Sequence, residues 1–283
     1  MTGAEEGVVF PCMGQTLVGV LHRAQGPRGV LVLAGGPQYR AGSHRQFTLL
    51  GRRLAAEGVP VLRFDCRGYG DSSGVRAGFA HSHADVDAAV AAFLERCPGL
   101  REVVVCGLCD AVSALLLHPA RPAAVRGMVL MNPWIRDAEV APETLLRHYY
   151  LERLLSADFW RKLAAGGVGL AALRGLLGTA AGARRRSRSA GQRAGGNAVE
   201  ATLAARMAAG LERFAGPVLL LTSGRDLVAA EFLDMTRRDP RWQALLARPE
   251  LRHEHLADAN HTFASHALRS RVEDLTLDWL RTW

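Results

Sequence analysis

Lysine is nearly absent from this chain of 283 residues, so its formal net charge of +8 rests on arginine. A positive field of that kind attracts nucleic acid, anionic membranes or anionic polymers. Much of the excess, however, sits in one run, Arg184-Arg185-Arg186-Ser187-Arg188. Neither zinc-finger spacing nor an RNA-binding aromatic motif accompanies it, so no nucleic-acid partner is expected. The run allows a weak contact with an anionic surface, worth about 1 kcal/mol for each basic residue near it. Cysteines are few: Cys12, Cys66, Cys97, Cys106 and Cys109. Their odd number and irregular spacing give no disulfide framework. Glu5 and Glu6 stand near the start in place of a basic-then-apolar leader pattern. No apolar run reaches membrane-spanning length. The expected compartment is a reducing cytoplasm. Metal-ligand spacing is missing too, and no metal or organic cofactor is expected.

What is present is an ordinary globular balance, with 49% hydrophobic and 22% charged residues. The length suits one large α/β domain. Val8–Phe10 and Leu17–His22 read as strands of an opening hairpin around Gly14, and Gly29–Ala34 as a fully buried strand. Phe47–Glu57 has helical spacing and stops at Gly58. Pro60–Asp65, Glu102–Cys106, Arg126–Met131, Pro217–Ser223 and Arg252–Leu256 read as further strands. His83–Arg96, Ala111–His118, Ala229–Thr236 and Ser265–Trp283 read as helices between and after them. This alternation predicts an α/β fold with a mostly parallel central sheet and helices on both faces. Residues 137–210 interrupt it as a helical cap insertion, basic and mobile near 180–196. The core is then 1–136 with 211–283.

The chemistry centres on Gly107-Leu108-Cys109-Asp110-Ala111, a tight bend between a strand and a helix. Small residues two before and two after Cys109 permit a turn that lifts the middle side chain above the sheet. At a helix N-terminus the dipole and free N–H groups favour an anion, so the thiol pKa is expected to fall. Taken alone, Cys109 reads equally well as a nucleophile, as a small buried hydrophobe, or as half of a redox pair with Cys106.

The downstream residues decide. A nucleophile needs a base and the base needs an orienting group. Asp226 follows the strand ending in Ser223, and His261 lies in a loop before the last helix. The order nucleophile, acid, histidine on successive post-strand loops is the one the α/β-hydrolase fold uses. Asp258 is the second candidate for the orienting acid. The Asp110 N–H supplies half of an oxyanion hole. The loop Gly35-Gly36-Pro37-Gln38 supplies the other half; Pro37 has no N–H, so the donor shifts to Gln38. Gly36, His44 and Trp134 are candidate substrate-pocket residues. The expected reaction is acyl transfer from an ester or thioester to water. A non-catalytic binding protein of the same fold, and acyl transfer to a sugar hydroxyl, stay open as alternatives.

The segment Phe64-Asp65-Cys66-Arg67-Gly68-Tyr69-Gly70-Asp71-Ser72 resembles the Asp-x-Arg-Gly-x-Gly-x-Ser loop of many α/β-hydrolases. The cysteine nucleophile is similar to that of dienelactone hydrolases. More narrowly, four segments resemble the exosortase A system-associated hydrolase 1 family of bacteria. They are Gly35–Arg40 with Ser43–Phe47, Gly107–Ala111, Asn132-Pro133-Trp134, and His148–Tyr150 with Asp158–Trp160. The resemblance implies an enzyme linked to surface-polysaccharide and protein-sorting loci, acting on a small molecule or an acylated saccharide.

Overall fold

The buried parallel strands are short continuous apolar runs, and the longer helices repeat apolar residues at spacings of three and four. The structure is a computed structural model that describes residues 5–35, 38–76, 78–136 and 201–283. The strands are β1 (Glu5–Cys12), β2 (Gln15–His22), β3 (Arg28–Leu33), β4 (Val61–Asp65), β5 (Glu102–Leu108), β6 (Val125–Met131), β7 (Val218–Arg225) and β8 (Leu251–Asn260). They form one eight-stranded sheet in the order β1-β2-β4-β3-β5-β6-β7-β8. β1 pairs antiparallel with β2, and β2 antiparallel with β4. All later pairings are parallel, so β3 to β8 share one C-terminal edge. This is the α/β-hydrolase fold expected from the alternation, and that edge is where such sheets present functional groups.

The helices are α1 (Gln46–Ala56), α2 (His83–Arg96), α3 (Asp110–Leu117), α4 (Leu203–Glu212), α5 (Leu227–Arg238), α6 (Pro240–Leu246) and α7 (His266–Leu280). On one face, Phe47, Leu50 and Leu54 of α1 and Leu275 and Trp279 of α7 cover Val30, Val32, Val104, Cys106 and Leu219. Each such buried side chain contributes about 1.5–3 kcal/mol. α2 packs against β1, β3 and β4, and α3 against β5. Val86, Val90 and Phe93 are the buried residues of α2 that make this contact.

The strand expected over Arg252–Leu256 runs on to Asn260 and takes in Asp258, and two helical features also differ from the sequence reading. The helix α6 went unread, although Asp239 caps it by accepting from the Arg241 N–H at 2.8 Å, with Pro240 in its first turn. Residues 203–210, grouped above with the cap, belong to α4, which packs on α3. A Cβ on Gly210 would run into the Leu116 carbonyl, so the two helices meet at a glycine. The rest of the cap reading, the basic run Arg184–Arg188 and the segments 148–150 and 158–160 lie outside the described residues.

Candidate active site

β5 ends at Leu108 and α3 begins at Asp110, which leaves Cys109 alone to reverse the chain. It does so at φ 63°, ψ −123°, a conformation that a non-glycine residue reaches only under strain. The surrounding backbone over-determines that geometry. The Cys109 N–H donates to the Met131 carbonyl at 2.9 Å, and the Cys109 carbonyl accepts from Val112 at 3.0 Å and Trp134 at 3.4 Å. Gly35 presses on the same bend: a Cβ there would collide with the Leu108 carbonyl and the Asp110 carboxylate. Only glycine lets the β3 loop approach the bend this closely.

His261 follows β8 and lies near enough to Cys109 for each side chain to shift the pKa of the other. Its Nδ1–H donates to Asp226 Oδ2 at 2.8 Å, which leaves Nε2 for the thiol. The Asp226 side chain is fully buried, while that of His261 keeps 19% of its surface exposed. Asp226 also caps α5, its oxygens accepting from Val228 at 3.2 Å and Ala229 at 3.3 Å. Asp226 therefore both caps α5 and bonds the His261 ring. Asp258 points elsewhere, to an exposed ion pair with Arg225 at 2.5 Å.

The electrostatics correct one expectation. Burial pushes the Cys109 thiol above its ordinary pKa instead of below it. His261 pulls it down by charge and hydrogen bond, the Asp110 carboxylate pushes it up, and the Asp110 N–H pulls it down. For His261, burial favours the neutral ring. The Cys109 charge and the bonds to Asp226 and Cys109 outweigh it, and the pKa lies well above the usual histidine value. Cys106 is different in kind: it sits inside β5, and burial alone raises its thiol to about 12.

The Gln38 N–H closes a turn onto the Gly35 carbonyl at 3.3 Å. Donation to a substrate oxyanion requires that turn to open. The Gln38 Oε1 is buried with no hydrogen-bond partner among the described residues. Gly36 and Pro37 lie outside the described residues. His44 is exposed ahead of α1, at φ 54°. Trp134 is buried, and its carbonyl accepts from Ser113 Oγ at 2.6 Å. Arg67 ties its loop to α2 through an ion pair with Asp85 at 2.5 Å. A cavity of about 30 Å³ between Gly35, Asp110, Cys66, Tyr69 and Phe79 has room for water and not for an acyl chain. Among the described residues no group of His, Cys, Asp and Glu could hold a metal ion, and no helix is long and apolar enough to cross a membrane.

Residues 25–174 match the family model described as serine aminopeptidase, S33. No curated protein matches the sequence. Among solved structures, an esterase of Pyrococcus furiosus has TM-score 0.66 at 16% identity, covering 99% of this chain and 91% of its own. An alpha/beta hydrolase of Penicillium has TM-score 0.62 at 18% identity, covering 98% of each. The protein Est1E of Butyrivibrio proteoclasticus, with ferulic acid bound, has TM-score 0.59 at 12% identity, covering 97% of this chain and 100% of its own. At these identities the likeness is one of fold.

Proposed function

This chain belongs to the hydrolase family described as serine aminopeptidase, S33, and we propose that it hydrolyses an ester or thioester through Cys109, His261 and Asp226. The observation that carries the reading is a strained Cys109 at positive φ, electrostatically coupled to a histidine whose ring is held by a buried carboxylate. Serine is the nucleophile in the family's description; here the same bend carries a thiol.

Burial keeps the proton on the Cys109 sulfur at rest, and the ring of His261 gains its high pKa only as Cys109 becomes charged, so the resting pair is a thiol beside a neutral ring. Attack is therefore coupled to proton transfer. As the sulfur bonds to the acyl carbon, its proton passes to His261 Nε2, and Asp226 stabilises the imidazolium. The substrate's carbonyl oxygen becomes the oxyanion, which the Asp110 N–H stabilises, joined by the Gln38 N–H once its turn opens. Collapse breaks the bond to the alkoxide or thiolate leaving group, which takes the proton from His261. Water, deprotonated by His261, then attacks the thioester on Cys109; the carbon–sulfur bond breaks, the sulfur takes the proton back from His261, and the acid is released.

Names of similar proteins support the class: one is an esterase, and another was solved with ferulic acid bound. The narrower resemblance to the exosortase-associated hydrolases favours an acylated saccharide in a bacterial cytoplasm, with the Arg184–Arg188 run free to touch anionic polymer. The closed Gln38 turn favours a second reading, a binding protein of the same fold. An activity screen on short-chain esters, acyl thioesters and acetylated sugars separates the two. Turnover that vanishes in Cys109→Ala supports catalysis. No turnover on any class, or turnover that survives in Cys109→Ala, overturns it.

A further inference from the structure

The segment after β6 touches both the thiol residue and the histidine residue. Met131 accepts from the Cys109 N–H at 2.9 Å, and the Trp134 N–H donates to the Cys109 carbonyl at 3.4 Å. Between them stands Asn132, fully buried and left-handed at φ 46°. Its Nδ2 donates to the His261 carbonyl at 2.9 Å and to Ser223 Oγ at 2.9 Å. Its Oδ1 accepts from the Ser223 N–H at 2.8 Å, and its own N–H donates to the Leu221 carbonyl at 3.0 Å. Ser223 Oγ in turn donates to the Asn260 carbonyl at 2.9 Å. Both amide hydrogens are thus used, one of them on the backbone of the histidine itself.

The pairing of β7 with β8 shifts register between Ser223 and Arg225 and ends with Arg225 opposite Asn260, the residue before His261. Beyond that pair the strands no longer guide the chain. The Asn132 amide ties down the His261 backbone itself, and the Ser223 hydroxyl ties down Asn260. We infer that Asn132 is a positioning residue that holds His261 at hydrogen-bonding range of Cys109. The inference rests on the triad reading above.

The test is the rate of Cys109 alkylation by iodoacetamide across pH, followed by peptide mapping in the intact chain. Asn132→Gly is the variant of choice, because glycine takes the left-handed backbone without strain and removes only the amide. Small misplacements of a base cost one to two decades, so labelling at neutral pH falls about tenfold or more, towards the His261→Ala rate. At alkaline pH, where the thiolate forms without help, the variant and the unaltered chain label alike. A general loss of structure does not produce that split. Asn132→Asp keeps the side chain's shape and tolerates the left-handed backbone but has no amide hydrogen for the His261 carbonyl, and slows neutral labelling in the same way. It carries the test if Asn132→Gly does not fold. Folded variants that label at the unaltered neutral rate, while His261→Ala is slow, overturn the inference alone. A His261→Ala chain that labels as fast as the unaltered one overturns the triad reading and this inference with it.

Discussion

The ends of β4 and β7 each hold a buried aspartate, Asp65 and Asp226, and the two have opposite lives. Asp65 is consumed by its own loops. It accepts from the Arg40 N–H at 2.6 Å and the Asp71 N–H at 3.1 Å, and pairs with the Arg40 guanidinium. Arg40 reaches on to Asp71 at 2.8 Å and lies over the Tyr39 ring. That charge network closes on itself and locks the two loops together. Asp226 also spends hydrogen bonds on its helix, yet one oxygen keeps a titratable ring that faces a thiol. The lesson is that charge density does not mark the chemistry in this molecule. A carboxylate leading to an ionisable group that keeps some exposure does.

The largest expected effect breaks the comparison at Asp226. Asp226→Asn keeps an acceptor for the start of α5, so stability changes by less than about 1 kcal/mol. Hydrolysis falls roughly ten-thousand-fold, because the ring loses its tautomer and its counter-charge. Equilibrium unfolding and steady-state rates on the best ester from the screen check both halves. Next comes Asp65→Ala, which leaves the buried Arg40 without its main partner and costs about 3 kcal/mol of unfolding free energy. The residual folded protein keeps Cys109 reactive, since the proton path does not pass through Asp65.

A smaller effect is read by pH. His261 lowers the Cys109 pKa, so His261→Ala moves the midpoint of iodoacetamide labelling to higher pH. The Asp110 carboxylate raises it, so Asp110→Asn moves the midpoint to lower pH while the backbone N–H stays. Shifts of the same sign in both variants contradict the assigned electrostatics. The smallest effect belongs to Asp258→Ala, which removes one exposed ion pair. It changes stability by under about 1 kcal/mol and leaves the rate alone. A loss like that of Asp226→Asn would exchange the two carboxylates.

Much of the architecture was legible because buried parallel strands read as short apolar runs, and β3, β4, β6 and β7 are such runs. The helix α2 was legible to its last residue from spacing alone. The helix α6 was hidden by its seven residues, too few to show a period, though Asp239-Pro240 marked its start. In the site, the residue types and their order pointed to Cys109, Asp226 and His261, because each stands just past a strand. The thiol's raised pKa was not legible, since it depends on burial from all sides and on Asp110. Nor was Asn132, whose partners Ser223 and His261 lie 91 and 129 residues away.

One measurement bears most directly on the role of the cysteine. The intact chain is mixed with p-nitrophenyl acetate, quenched in acid during turnover, and its peptides are mapped by mass spectrometry. The account predicts an acetyl group on the Cys109 peptide that forms and decays with turnover and never forms in Cys109→Ala. Turnover with the acetyl group on another residue, or with Cys109 unmodified throughout, contradicts it.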